Sequence, residues 1–190
     1  HVCRLVTALP SNAVGHAASR AIGQFGVDVA ATSLPDSRMG LYFLEQGAMS
    51  RPAHVTYDRA GSAYASVDPG RYNWASLLHG AEWLFVSGIT AALGDMPLAA
   101  LRSAMAAAKS MAVKIAFDTN FRPALWHGRE AQAAEILRQL SCQADLLFAG
   151  RRATAMMLGG DYGIGDPDRG FHEAAEAMFA AATACRPVTI

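Results

Sequence analysis

The sequence is poor in charge, and the charges that it has balance. Asp, Glu, Lys and Arg make up 17% of the 190 residues, with 16 acidic and 16 basic side chains, so the formal net charge is zero. Binding to nucleic acid or to an anionic membrane surface depends on an excess of basic residues. The composition therefore argues against both of these function classes.

Cysteine is also scarce. The three cysteines, Cys3, Cys142 and Cys185, are far apart, no Cys-x-x-Cys pair occurs, and the six histidines have no metal-ligand spacing. Neither a disulfide framework nor a zinc site is indicated. A reducing, cytoplasmic location is the expectation that fits this usage.

Long apolar runs and an amino-terminal leader pattern are absent as well. No run reaches the length of a membrane span, and the first residues lack the basic-then-apolar layout of a signal peptide. The chain has no starting Met and begins at His1–Val6 as if already inside a strand. We therefore expect further sequence upstream.

What the sequence does contain is an alternation of strand and helix patterns. Hydrophobic residues make up 52% of the chain, which indicates a globular protein. The predicted strands are 4–9, 27–31, 83–86, 113–117, 145–148 and 188–190, and the predicted helices cover about 14–25, 95–108, 129–140, 153–158 and 171–182. Such alternation predicts right-handed strand–helix–strand units and a parallel sheet flanked by helices.

Residues 39–67 depart from this rhythm. Two aromatic-rich strand patterns, 40–45 and 55–59, and a third short one at 63–65 follow each other without helices, which predicts a small antiparallel sheet. We assign 39–67 to this lid, and 1–38 with 68–190 to the α/β core. Period two places Tyr57 and Arg59 on one face, where they either cover a cleft or belong to an ordinary edge hairpin.

A polar stretch follows the buried strand 113–117. Asp118, Asn120 and Arg122 occur at alternate positions, and Pro123 prevents the strand from continuing. Ligands of open α/β sheets bind beyond the carboxyl ends of the strands, so these side chains are candidate ligand contacts. The alternative is a capped loop in which Asp118 satisfies backbone N–H groups.

Three segments together resemble the ribokinase-like (PfkB) carbohydrate kinases, and among them the 2-keto-3-deoxygluconate kinases. They are Gly40–Glu45 with Val55–Arg59 and Ser62-Ala63, then Phe85–Thr90, then Asp118–Arg122 with Leu125-Trp126. Their order and spacing carry the resemblance, which extends from about Leu5 to Gly159.

The resemblance implies a ribokinase-like α/β fold with a β-sheet lid, and an ATP- and Mg²⁺-dependent kinase acting on a sugar acid. Carried over residue by residue, it assigns substrate contacts to Tyr42, Tyr57 and Arg59 on the lid and to Arg122 on the core. Arg suits this role because its planar fork of donors binds a carboxylate in bidentate fashion. We expect the two arginines to face one pocket, and the lid to pair with that of another subunit.

The chain also departs from the family. The Gly-Ala-Gly-Asp motif that carries the catalytic base should lie beyond the strand at 188–190, where the chain ends, and a glycine-rich segment should precede Leu5. The look-alike Gly163–Asp166 comes too early in the chain and is interpreted as a surface connector, so the catalytic and cofactor-binding residues stay unknown.

A second departure follows the strand 145–148. The family pattern Asn-x-x-Glu, which helps to organise Mg²⁺ and phosphates, is replaced here by Gly150 and Ala153, with Arg151 and Arg152 between them. No metal-ligating residue is predicted, although the arginines can contact phosphates. This departure leaves open a non-catalytic relative that binds sugar acids. A fructokinase or ribokinase is also open, although two arginines favour an acidic substrate.

Overall fold

A computed structural model describes residues 2–164 and 170–184. Its strands are β1 (Cys3–Pro10), β2 (Val27–Leu34), β3 (Leu41–Glu45), β4 (His54–Asp58), β5 (Trp83–Ser87), β6 (Lys114–Asp118) and β7 (Leu146–Phe148). Its α-helices are α1 (Ala13–Gly23), α2 (Ala63–Ser66), α3 (Trp74–Leu77), α4 (Gly88–Ala92), α5 (Asp95–Ser110), α6 (Glu130–Ser141), α7 (Arg151–Leu158) and α8 (Phe171–Ala184). The chain forms two compact units, one up to Leu77 with Leu93–Ala100, the other Leu78–Ala92 with the chain from Leu101.

The first unit begins with a parallel strand pair joined by a helix. β1 and β2 run in register from Cys3 beside Val27 to Pro10 beside Leu34. The Asn12 side chain caps α1, because its Oδ1 accepts the N–H groups of Val14 and Gly15 at 3.1 Å each. This unit confirms the strand–helix–strand pattern predicted for its sequence.

The predicted three-stranded lid sheet is only partly correct. β3 and β4 pair antiparallel as expected. A third strand at 63–65 is wrong, because these residues begin α2, whose first turn is capped by the Ser62 hydroxyl accepting the Ala65 N–H at 3.4 Å. A serine cap ahead of alanines favours a helix, and Ala63 and Val67 are both buried at 1% exposure.

The second unit is built on a parallel sheet in the order β5-β6-β7. Ile115 and Phe117 of the central strand are fully buried. The inward stripes predicted for the helices are confirmed where they meet this sheet, in α5 by Leu101, Met105 and Ala108, and in α6 by Ala133, Leu137 and Leu140. In α8 the stripe is narrower than predicted, since Ala174 and Met178 are buried but Phe171 and Phe179 are exposed.

The other face of this sheet is open. Trp83, Phe85, Leu146 and Phe148 alternate with half-buried residues of β5 and β7 and are 45–62% exposed. The rings of Phe85 and Phe148 lie 6.5 Å apart. Parallel sheets are usually covered on both faces, so this face is unusual in its exposure.

Two further expectations concern the cysteines and the chain's extremities. Cys3 is a free, exposed thiol, whereas Cys142 is disulfide-bonded, a bond that the cysteine pattern of the sequence does not indicate. Within the described residues, no helix has the length and apolarity needed to cross a membrane. The strand predicted at 188–190, and Gly165 and Asp166 of the look-alike motif, lie outside the described residues.

Candidate functional site

Tyr42, Tyr57 and Arg59 form one cluster on the hairpin. Tyr42 lies directly across from Tyr57 in the strand register. The guanidinium carbon of Arg59 lies 5.0 Å from the centre of the Tyr57 ring and 5.9 Å from that of Tyr42. The prediction that Tyr57 and Arg59 share a face is confirmed. No residue of the described part accepts a hydrogen bond from the Arg59 guanidinium, so its donors are available to a ligand.

The base of this hairpin is held by an arginine that the sequence analysis missed. The Arg38 guanidinium binds the Asp58 carboxylate at 2.6 and 2.8 Å, and donates to the carbonyls of Asp58 at 2.7 Å and Ala60 at 3.2 Å. Asp58 is therefore neutralised by Arg38 rather than by Arg59. No sequence pattern predicts the Arg38–Asp58 ion pair, because the two residues lie twenty positions apart.

Asp118 stabilises the turn that follows β6. Asp118 ends the strand, between Ser87 of β5 and Phe148 of β7 in the register. Its Oδ1 accepts the Asn120 N–H at 2.9 Å, and Asn120 has a φ of 38°, in the left-handed region. Asp and Asn side chains stabilise turns in this way, by accepting the N–H of the residue two positions later. Asp118 therefore caps the loop, as the capped-loop alternative predicts.

Thr119 links the same turn to β7 through hydrogen bonds. It is buried, and both its N–H (2.9 Å) and its hydroxyl (3.2 Å) donate to the Phe148 carbonyl. On the other side, a Cβ placed on Gly88 would lie 2.1 Å from the Thr119 carbonyl oxygen. Only glycine permits so close an approach, which the sequence alone did not reveal.

Arg122 lines a hollow next to this turn. The hollow has a volume of about 180 Å³, and its wall is made by Asp118, Thr119, Asn120, Phe121, Arg122, Gly150, Arg152 and Ala153. Arg122 and Arg152 are exposed, and neither is paired with an acidic or carbonyl group of the described residues. The residues that line the hollow thus include two arginines and one aspartate.

The backbone that presents Arg122 is firmly anchored. Arg122 precedes a 3₁₀ turn at Pro123–Leu125, and Trp126 after it is buried at 1% exposure. The Arg129 guanidinium lies 5.0 Å from the Trp126 ring and donates to the carbonyls of Ala92 at 2.7 Å and Leu125 at 3.1 Å. These contacts hold the segment in place, as a binding residue requires.

The Mg²⁺ implied by the family resemblance does not fit this hollow as a resident ion. Gly150 and Ala153 have no ligating side-chain atom, and Asp118 already accepts a backbone N–H. Mg²⁺ prefers six oxygen ligands, and no group of three or more His, Cys, Asp or Glu side chains is gathered in the described ranges.

The described half of the look-alike motif, Gly163 and Ile164, contacts nearby residues. The Asp161 carboxylate accepts the Gly163 N–H at 3.0 Å and the Ile164 N–H at 3.4 Å, and Arg151 donates to the Gly163 carbonyl. Its interpretation as a surface connector stays a prediction.

Of the four predicted substrate-binding residues, three lie together on the hairpin, and the fourth belongs to the other unit. Tyr42, Tyr57 and Arg59 belong to the first unit, whereas Arg122 belongs to the second. A pocket shared by Arg59 and Arg122 accordingly stays a prediction.

Parallel strands alternating with helices, an antiparallel hairpin and a polar turn at a strand's carboxyl end define an α/β protein of the ribokinase-like class. A solved structure of 2-dehydro-3-deoxygluconokinase from Thermotoga maritima superposes with a TM-score of 0.83 at 32% identity, over 93% of this chain and 54% of that one. A ribokinase II from E. coli in complex with ATP and Mg²⁺ has the same fold, with a TM-score of 0.75 at 14% identity, over 95% of this chain and 54% of that one.

Curated sequences agree with the structural comparison, although no family model matches. The chain is 30% identical to a 2-dehydro-3-deoxygalactonokinase of Haloferax volcanii over 144 residues, which are 76% of this chain and 44% of the relative. It is also 30% identical to a 2-dehydro-3-deoxygluconokinase of Thermoproteus tenax over 173 residues, 90% of this chain and 50% of the relative. The chain belongs to the ribokinase-like (PfkB) carbohydrate kinase family, and it spans about half the length of these relatives.

Proposed function

We propose that this protein is an ATP-dependent kinase for a keto-deoxy sugar acid, with 2-keto-3-deoxygluconate as its substrate. The observation that carries the proposal is the Arg59 guanidinium lying against Tyr57 and Tyr42 with no acidic partner in the described part of the chain. A cation held on an aromatic pair, with its donors unused, suits an anionic ligand.

Arg122 is the second proposed contact to the sugar acid. Its side chain is exposed in the hollow at the end of β6, on a backbone anchored by Trp126. Tyr42 and Tyr57 contribute flat apolar faces and one hydroxyl each, which match the carbon chain and hydroxyl groups of a sugar. A neutral sugar would leave both guanidinium groups without an anionic partner, and this favours the acid over ribose or fructose.

The reaction is a phosphoryl transfer. A sugar hydroxyl oxygen forms a bond to the γ-phosphorus of ATP while the bond to the β–γ bridging oxygen breaks, so ADP leaves and the hydroxyl proton passes to a base. None of the residues described is assigned as that base. The contribution proposed for this chain is to bind and orient the sugar acid, which is a large part of catalysis in this chemistry.

An ATP-dependent phosphorylation assay with 2-keto-3-deoxygluconate, fructose and ribose tests the proposal. We expect turnover with the sugar acid and little with the neutral sugars. Absence of turnover with all three would refute the kinase assignment, and preference for a neutral sugar would replace it with a fructokinase or ribokinase function.

A second candidate is a non-catalytic sugar-acid-binding protein. Gly150 and Ala153 favour it, because neither side chain can organise a metal or phosphate at the end of β7. Calorimetry separates the two candidates, since this one requires 2-keto-3-deoxygluconate to bind without being phosphorylated.

The proposal includes a cytoplasmic location, where ATP is available, and self-association through the hairpin. Leu41 and Phe43 on the hairpin face opposite Tyr42 are 45% and 59% exposed. Exposed apolar strand residues next to open strand edges are typical of pairing surfaces. Light scattering should detect a dimer or larger species that Phe43→Ser dissociates, and cell fractionation tests the location.

A further inference from the structure

The hollow at the ends of β6 and β7 has a composition that suits an anion rather than a metal. Its lining includes two arginines, Arg122 and Arg152, against a single acidic residue, Asp118. That carboxylate already accepts the Asn120 N–H at 2.9 Å. The net charge of the wall is positive, which attracts anions and repels cations.

Arg152 is the residue of this hollow that the proposed function does not use. It is exposed, and no acidic side chain of the described residues forms an ion pair with it. It lies in the first turn of α7, between Gly150, which has open space around it, and the buried Ala153. The guanidinium can therefore reach a ligand in the hollow without breaking an interaction that it makes here.

The size of the hollow limits what it can hold. Its 180 Å³ is smaller than pockets that enclose whole drug-sized molecules, which begin at about 300 Å³. It suits charged groups at the end of a larger ligand rather than a whole ligand. A phosphate group matches the planar fork of an arginine and carries more charge than a carboxylate.

We infer that Arg152 binds phosphate oxygens of the nucleotide directly and without a metal ion bridging them to the protein. This inference rests on the proposed kinase function for the source of the phosphate. Arg152 then contacts phosphate at the end of β7, where Gly150 and Ala153 replace the metal-organising side chains of the family pattern. Arg122 remains the contact for the sugar acid.

Calorimetric titration of the chain with pyrophosphate, in EDTA and again in Mg²⁺, tests the inference without an activity assay. We expect pyrophosphate to bind in EDTA, and Arg152→Gln to weaken it about tenfold or more, as loss of a charged hydrogen bond does. Arg152→Lys, which keeps the charge but not the fork, should lie between the two. Arg20→Gln, at an exposed arginine of α1, is the matched control and should leave the affinity unchanged.

Three results would overturn the inference. They are a requirement for Mg²⁺, equal affinities of Arg152→Gln and the unmodified chain, and an equal loss of pyrophosphate affinity in the Arg20→Gln control. Titration with 2-keto-3-deoxygluconate separates phosphate from carboxylate, because a loss of sugar-acid affinity in Arg152→Gln equal to that for pyrophosphate would assign Arg152 to the substrate instead. Pyrophosphate binding without sugar-acid binding would contradict the proposed function and leave the phosphate contact in place.

Discussion

The guanidinium carbon of Arg59 lies 5.0 Å from the centre of the Tyr57 ring, two residues earlier in the same hairpin. The stacking holds the cation in place while leaving its in-plane donors unused by any described residue. Arg59 and Tyr57 are half-buried, and a cation–π contact that is not fully desolvated contributes only about 1 kcal/mol. Its main effect is therefore to orient Arg59 rather than to stabilise the fold.

Arg59→Gln should weaken binding of 2-keto-3-deoxygluconate by about tenfold or more, because a charged hydrogen bond contributes about 1.5–3 kcal/mol. Thermal stability should change little. Calorimetry and a melting curve measure both effects. Arg51→Gln is the matched control, since Arg51 lies in the loop between β3 and β4 and faces Glu45 at 3.7 Å. An equal loss of affinity in this control would show that general charge, not the Arg59 position, attracts the ligand.

A double-mutant cycle tests whether Arg59 and Arg122 contact the same molecule. If both bind one sugar acid, the losses of binding free energy from Arg59→Gln and Arg122→Gln should be non-additive by about 0.5–3 kcal/mol. Sugar-acid affinities of the two single variants and the double variant provide the coupling energy. Losses that add within about 0.5 kcal/mol would indicate independent contacts and contradict a shared pocket.

Gly88→Ala should destabilise the protein by at least about 2 kcal/mol, because the new methyl would overlap a backbone oxygen and force the turn to move. The clash is with the Thr119 carbonyl oxygen, which would lie 2.1 Å from the new methyl carbon, so the Asp118–Arg122 turn should be disturbed as well. Denaturant unfolding measures the loss. Gly23→Ala at the end of α1 is the control, with open space around the new methyl. It should be neutral or stabilising by up to about 1 kcal/mol, and similar effects of the two changes would contradict the steric argument.

Truncation of two phenylalanines in one sheet should destabilise the protein to very different extents. Phe117 in β6 is fully buried, whereas Phe85 in β5 is 62% exposed on the open face. Phe117→Ala should cost about 3–5 kcal/mol of unfolding free energy. Phe85→Ala should cost about 1 kcal/mol or less, since an exposed ring loses little on truncation. A large cost at Phe85, measured by the same unfolding assay, would show that its face is covered in solution.

Much of the fold could be predicted because periodicity is a local property. The buried strand β6, the inward stripe of α5 and the placement of Tyr57 and Arg59 on one face follow from spacing within a few residues. The error at Ala63–Ala65 has a local cause as well. A run of three small and aromatic residues is too short to separate a strand from a helix, and the Ser62 cap decided in favour of the helix.

The sequence by itself determined the alternation along the strands, the buried stripes of α5 and α6 and the polar side chains that follow β6, since these depend on neighbours along the chain. Only the tertiary structure decided that Arg38 neutralises Asp58, that Gly88 must lack a side chain and that Arg152 shares a hollow with Arg122. Each of these relationships joins positions at least twenty residues apart. Their geometry depends on how strands and helices pack, and a local pattern cannot encode that distance.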